Sequence, residues 1–265
     1  MEAKTEMFHV EQKETTPKKS KPSAQVEVDR PAFLRHLKEG LAKTGLTLAE
    51  SQLNQMADYY ELLLAGNQVM NLTGITEAHE VAEKHVADSL MVAAFLQEGD
   101  AVLDLGSGAG LPGIPLAIAC PGCSFVLVDS LQKRCRFLEE VAAKLQLPNV
   151  RVIHGRAEEL ARLPEQRQQY QVATARAVAA LPVLAEYTLP FLRLGGKLVA
   201  MKGSQGREEL AAAQKALQVL GGGKASVQQY TLQTGETRTL LVVMKARPTP
   251  KAYPRKPGNI KKNPL

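Results

Sequence analysis

Strands alternating with helices between residues 101 and 245 predict an α/β protein whose mostly parallel sheet is covered by helices on both faces. Three observations carry this. The apolar run Ala101–Leu105, broken only by Asp104, stops at a cluster of glycines, as a buried parallel strand does before turning into a helix. Four more apolar runs, at 125–128, 150–153, 170–175 and 197–201, follow at helix-length intervals, the spacing of crossover units. The last two runs, about 225–232 and 238–245, are split only by a short stretch containing Gly235. They read as a hairpin, which adds an antiparallel edge to a seven-stranded sheet.

Taken in order, residues 1–28 are polar and aperiodic and read as a disordered leader. A helix starts at Asp29 or Arg30 with Pro31 in its first turn, and its stripe of Phe33, Leu34, Leu37 and Leu41 ends by Gly45. Thr47 and Glu50 have capping-box spacing for a second helix, with the stripe Leu53, Met56, Ala57, Tyr60, Leu63 and Leu64. Gly66, Asn67 and the run 71–74 read as a turn, and Thr76 as the N-cap of a third helix carrying Val81, His85, Val86, Leu90, Val92 and Ala93 up to Gly99. Helices are then predicted at 114–119, 133–147, about 157–163, 180–192 and 207–219. Gly195–Gly196 reads as the turn into the fifth strand, and Gly221–Gly223 as the lead into the hairpin. The chain thus divides into the leader, one domain over 29–246 (helices 29–98, wound sheet 99–246) and a proline-rich tail, 247–265.

Of the 265 residues, 45% are apolar, enough for a sizeable core, and no window approaches the ~18 uninterrupted apolar residues of a membrane span. The N-terminus lacks a basic-then-apolar signal, so a cytoplasmic protein is expected, with no membrane partner. The net charge is +6, and the tail alone carries Arg247, Lys251, Arg255, Lys256, Lys261 and Lys262 with no acid. A neutral body with one cationic arm suggests an anionic polymer as partner, the alternative being a solubilising tail. If all six charges met phosphates of single-stranded RNA, the log-log salt slope of binding would be roughly −4. Cys120 and Cys123 have C-x-x-C spacing, but a second ligand pair is lacking and Cys120 follows a helix instead of opening one. No metal site is expected, and the pair reads as incidental.

In a wound sheet, ligands sit beyond the carboxyl ends of the strands. The residues there are Asp104 and 106–111, then Asp129, Ser130 and Leu131, then 155–158, then Arg176, then Lys202 and Gly203. Gly106, Gly108 and Gly110 allow positive φ and a close backbone approach. A dinucleotide loop would need glycine at 111, where Leu111 stands. The acid-x-G-x-G-x-G loop of enzymes using S-adenosylmethionine needs the strand-terminal acid, which Asp104 supplies. Asp129, 25 residues past Asp104, either accepts the hydroxyls of a ribose or caps the following helix. Glu158 either meets the ligand or stabilises its own helix, while Ala157 leaves room for an adenine ring. Arg176 is placed to touch substrate or cofactor. The run T-A-R-A-V after the fourth strand lacks the Asn/Asp-Pro-Pro-aromatic signature of exocyclic-amine methylation, and no cysteine beyond Cys135 is available for attack on a pyrimidine. A ring nitrogen with a free lone pair, such as guanine N7, fits what remains.

Taken together, N-L-T-G-I at 71–75, K-H-V-A-D-S-L at 84–90, D-L-G-S-G-A-G-L-P-G-I-P-L at 104–116, V-D-S with K-R and F-L within 128–138, R-A-E at 156–158, R-A-V at 176–178 and Y-P-R-K-P-G at 253–258 resemble the bacterial 16S ribosomal RNA guanine-N7 methyltransferases, also called glucose-inhibited division protein B. The resemblance runs from about residue 30 to the C-terminus. It implies a class I S-adenosylmethionine-dependent methyltransferase (Rossmann-like) fold, S-adenosyl-L-methionine as donor, and one guanine of the small-subunit 16S rRNA as acceptor. It also implies cofactor contacts at Gly106, Leu111, Asp129, Ser130, Leu131, Ala157, Glu158 and Arg176, with Gly108 added by the loop itself. The family pattern makes the N-terminal helices and 71–90 a face toward substrate, whereas His85 and Asp88 read equally as a buried polar pair. The leader, and Gln171 where aspartate is common, depart from the pattern. A monomer is expected. Rival readings are an assembly factor that keeps the fold without turnover, or a methyltransferase for another RNA or a small molecule. The intact glycine loop with Asp129 opposes the first, and the cationic tail opposes a small-molecule substrate.

Overall fold

A computed structural model describes residues 28–42 and 44–265. The leader expected at 1–28 therefore lies, but for Val28, outside the described residues. Seven strands form one sheet: β1 Ala101–Leu105, β2 Ser124–Asp129, β3 Val150–His154, β4 Tyr170–Arg176, β5 Leu192–Lys202, β6 Gly222–Thr231 and β7 Thr237–Lys245. Their order is β3-β2-β1-β4-β5-β7-β6, with β7 antiparallel to both neighbours and the other pairs parallel. Strand order reverses between β1 and β4, which is where such a sheet opens a crevice.

Side chains of successive strand residues point to opposite faces, and each face has its own core. Val102, Val172, Val199 and Val242 enter one core, while Leu103, Ala173, Leu198, Ala200 and Leu241 enter the other. The first core is closed by α1 (Arg30–Leu41), α2 (Glu50–Met70), the helical segment α3 (residues 78–95), α4 (Gly113–Ala119) and α5 (Gln132–Lys144). The second is closed by α6 (Ala157–Leu160), α7 (Leu181–Thr188), α8 (Gly206–Ala212), α9 (Gln214–Leu220) and α10 (Pro257–Lys262).

Most corrections to the sequence reading lie at element ends. Asp29 caps α1 as expected, its carboxylate accepting from the Ala32 N–H at 2.9 Å. For α2, however, Ala49 and not Thr47 is the N-cap, and its N–H is taken by Gln52 Oε1 at 2.9 Å. The same helix runs straight through Gly66 and Asn67, ending only at Asn71 in the left-handed region with φ 50°. A Cβ at Gly66 would lie 2.5 Å from the Phe137 ring, so this glycine lets α2 press against α5 instead of turning the chain. Thr76 caps nothing, as α3 starts after Glu77 without a side-chain cap. The helix after β3 is cut to Ala157–Leu160, and that predicted at 207–219 splits at Ala213. The helix at 180–192 closes at Thr188 with a 3₁₀ turn, Leu189–Phe191. Gly195–Gly196 lies inside β5, where a register shift against β4 takes up the irregularity.

The larger correction is the tail. Residues 247–265 are docked on the second core, not free as an arm. Ile260 is fully buried, Glu186 on α7 grips the Arg255 guanidinium at 2.7 and 2.9 Å, and Glu186 also accepts the Arg255 N–H at 2.7 Å. Arg167 donates to the carbonyls of Tyr253 and Thr249, and Arg162 to those of Ala252 and Pro254. Buried Lys245 donates to the Leu220 carbonyl at 2.7 Å and to Thr249 Oγ1.

Candidate active site

The loop from Leu105 to Gly113 is held from below and from both sides. Gly106 and Ser107 donate their N–H groups to the Val128 carbonyl at 2.8 and 3.1 Å, which ties the loop to the end of β2. Asp104, wholly buried, accepts from the Gly113 N–H at 3.0 Å. Burial pushes its carboxyl up to about 7, and its Oδ1 has no partner among the described residues. Tyr59, fully buried on α2, donates its hydroxyl to the Ala109 carbonyl at 2.9 Å. The apolar stripe of α2 gave no sign of that role. Gly108 has φ +58°, and a Cβ there would face open space, its nearest neighbour being the Gly106 carbonyl at 3.8 Å.

Asp129 joins two parts of the site. Its Oδ2 accepts from the Gly108 N–H at 3.0 Å and its Oδ1 from the Leu131 N–H at 2.8 Å. It therefore fixes the glycine loop and the entry to α5 together; Arg134 Nη1 lies 3.5 Å from Oδ2, while Oδ1 keeps a lone pair for a further donor. The N-cap itself is Leu131. Asp129 and Glu158 are 4% and 6% exposed, and both line a cavity of about 150 Å³. Its other walls include Gly106, Ser130, Arg156, Ala157, Val178, Tyr187 and Lys261. Glu158 accepts from Arg156 Nε at 2.9 Å.

Val178 also borders a second and larger cavity, about 650 Å³, which holds Lys84, His85, Asp88, Arg176, Ala177, Lys202 and Arg238. Its floor follows from an irregular helix. Between Val81 and Ala87, α3 widens into a π-helical turn in which the Asp88 N–H reaches back to the Glu83 carbonyl. The Lys84 carbonyl, passed over by that bond, accepts instead from Arg176 Nη1 at 2.9 Å. Asp88, 2% exposed, accepts from the Tyr230 hydroxyl at 2.6 Å and lies 3.5 Å from Arg176 and 3.8 Å from Arg238. His85 pairs with Thr73 Oγ1 at 2.7 Å and not with Asp88, and its Nδ1 has no partner among the described residues. Burial, reinforced by the Arg176 charge, pulls the imidazole down to about 4, so it is neutral at physiological pH. The hairpin turn closes one side, with the N–H groups of Gln233 and Thr234 on the Glu83 carboxylate and Lys84 2.8 Å from Glu236.

The opposite rim is the loop after β4. Ala177 has φ +56°, a conformation that costs an L-residue of order 1 kcal/mol or more. The loop is pinned by Lys202, which donates to the Ala179 carbonyl, and by Glu209, which accepts from the Leu181 N–H and pairs with Lys202 at 2.7 Å. Val178 fills the space a Cβ on Gly106 would need, at 2.7 Å. Of the residues singled out by sequence, Gly106, Asp129, Ser130, Ala157 and Glu158 line the small cavity and Arg176 the large one. Gly108, Leu111 and Leu131 line neither. Leu111 is packed in the first core, while the Gly108 and Leu131 N–H groups hold Asp129. Arg255 gives Nε and Nη2 to Glu186, which offsets its charge, and keeps Nη1 without a side-chain partner among the described residues. The thiols of Cys120 and Cys123 are both pushed up by burial, Cys120 to about 11, the opposite of a reactive pair.

Residues 52–240 match the family model described as rRNA small subunit methyltransferase G. The chain is 46% identical over 231 residues to the ribosomal RNA small subunit methyltransferase G of Leuconostoc mesenteroides, covering 86% of this chain and 97% of that one. Identity to the protein of the same name from Lacticaseibacillus paracasei is 47% over 233 residues, 86% of this chain and 96% of that one. Among solved structures, an O-methyltransferase from Bacillus cereus in complex with SAH superposes with TM-score 0.52 at 16% identity, covering 71% of this chain and 91% of that one. A SAM-dependent methyltransferase from Aquifex aeolicus gives 0.51 at 14%, covering 66% and 97%. The fold is that of the class I methyltransferases.

Proposed function

The chain belongs to the small-subunit ribosomal RNA methyltransferase G family, and from that premise we propose that it transfers a methyl group from S-adenosyl-L-methionine to N7 of one guanine in 16S rRNA. The observation that carries this reading is the pair of cavities meeting at Val178, one lined by two buried carboxylates and the other by Arg176 and neutral His85. The small cavity suits an adenosine. Asp129 and Glu158 are acceptors for ribose hydroxyls and an exocyclic amine, and Ala157 leaves a flat wall. Gly108, open on its far side, allows a ligand against the backbone. The bound cofactor supplies a sulfonium methyl, an electrophile that a ring nitrogen attacks with its own lone pair.

The large cavity then receives the guanine. Arg176 offers a donor to the base or to the cofactor's carboxylate, anchored by the Lys84 carbonyl and Asp88. His85 adds an uncharged polar edge, which does not repel the cation that N7 becomes on methylation. The pinned 177–180 loop would give base and donor a fixed rim to lie against, so that positioning and exclusion of water would account for the rate and no general base would be required. Lysine and arginine side chains outside the two cavities would meet the RNA backbone.

The test is incubation with labelled cofactor and, in parallel, small subunits, naked 16S rRNA or free guanosine, followed by mapping of the modified base. Label in 7-methylguanine at a single position of the RNA is expected. Label in another base, or cofactor binding with no transfer to any of the three, would overturn the reading.

A further inference from the structure

Resting on the reading of the small cavity as an adenosine site, the structure assigns the C-terminal segment to that site as a wall: Lys261 on α10 is a cofactor-binding residue that donates from its ammonium to the adenosine half. Lys261 lies on the same cavity as Gly106, Asp129, Ser130 and Glu158, although some 130 residues separate it in sequence from Asp129. Its position is fixed by its own helix, since the preceding residue, Ile260, is buried in the second core. The fixing continues upstream through Arg255 on Glu186 and the Arg162 and Arg167 bonds to tail carbonyls. The helix whose Glu186 grips the tail also places Tyr187 on the cavity wall. Tail and cavity are thus built from one piece, so the Lys261 backbone is in place before a ligand arrives, while its exposed side chain gives up rotamer freedom on binding.

Donor and acceptor balance gives the ammonium its task. Two of the cavity's groups, Asp129 and Glu158, are acceptors and match the hydroxyl and amine hydrogens of adenosine. The ring nitrogens and ribose oxygens are themselves acceptors and need donors. The hydroxyls of Ser130 and Tyr187 and the remaining N–H groups of Arg156, whose Nε is on Glu158, can serve some of these acceptors, and Lys261 is the cavity's cation whose side chain makes no hydrogen bond or ion pair among the described residues. The methionine half would leave past Gly106 and Val178 toward Arg176, on the far side from Lys261.

Full-length chains carrying Lys261→Ala, Lys261→Arg or Lys262→Ala are titrated calorimetrically with S-adenosylhomocysteine and with 5′-methylthioadenosine, which lacks the amino-acid carboxylate. Lys261→Ala should weaken both ligands about ten-fold, the loss of one charged donor. Lys261→Arg should recover most of this, and Lys262→Ala should match the parent, with thermal midpoints of the ligand-free proteins unchanged. Parent-like affinity of Lys261→Ala for both ligands would overturn the assignment and leave the cavity reading intact. So would a loss confined to S-adenosylhomocysteine, which would place the ammonium on the carboxylate, or a fall in midpoint matching the loss, which would make Lys261 a folding residue. A parent that binds neither ligand would overturn the cavity reading and the assignment with it.

Discussion

The glycine loop after β1 and the C-terminal tail both reach the small cavity, through Gly106 and through Lys261, yet by opposite means. The loop contributes backbone: positive φ at Gly106 and Gly108, an N–H for Asp129, and an absence of side chain. The tail contributes the side chain of Lys261, on a backbone anchored by the neighbouring buried Ile260 and by Arg255 locked on Glu186. A function made of backbone geometry leaves a residue-type signature in sequence. A function made by docking depends on partners elsewhere in the chain, and six basic residues in a row of prolines look the same whether docked or free.

The comparison breaks first at the loop. Gly106→Val places a β-branched residue at φ +72° with its Cβ 2.7 Å from Val178. Affinity for S-adenosylhomocysteine, measured by titration, is expected to fall about a hundred-fold or more from strain and collision together. The Gly108→Asp variant should also lose binding. Its added carboxylate would enter the open space beside Asp129 while the fold, followed by circular dichroism, is kept.

Next in size is release of the tail. Glu186→Ala removes the acceptor of the Arg255 guanidinium and its N–H at once, and because Arg255 is a quarter exposed and can turn to water the cost is about 2–3 kcal/mol. A drop of roughly 10 °C in melting temperature is expected, with a weaker cofactor site as a consequence. A variant that melts with the parent would show that the tail contributes no stability where it docks.

Smaller is the effect of salt. With Arg255 taken by Glu186 and Lys261 turned to the cavity, four tail cations remain for RNA, and their share of the log-log salt slope is roughly −3 instead of −4. Neutralising Arg247, Lys251, Lys256 and Lys262 together should remove that share. An unchanged slope would place the RNA on another face.

The mildest test is of pH. Burial holds the Lys245 ammonium down at about 7 against an ordinary 10.5. Between those values the unfolded chain binds more protons than the folded one, so this group makes stability rise with pH across that window. Urea midpoints at pH 7 and pH 9 should therefore differ less in Lys245→Met than in the parent.

Strand identities and the alternating helices were legible because apolar periodicity and length report burial directly. So was the cluster of Gly106, Asp129, Ala157 and Glu158, since a wound sheet sends the ends of adjacent parallel strands to one edge. Gly66 was misread because a glycine that permits helix contact and one that turns the chain are chemically the same residue. Tyr59 was missed because its hydroxyl's partner, the Ala109 carbonyl, lies 50 residues away. The sequence by itself determined the class of fold, the glycine loop at the end of its first strand, and, through its motifs, the family. Only the tertiary structure decided that His85 and Asp88 keep separate partners, that the Lys84 carbonyl beside a π-turn accepts from Arg176, and that the basic tail is docked beside the small cavity. The physical reason is that local pattern encodes which residues are buried and how the backbone bends, whereas the pairing of buried charges is settled only when distant segments meet.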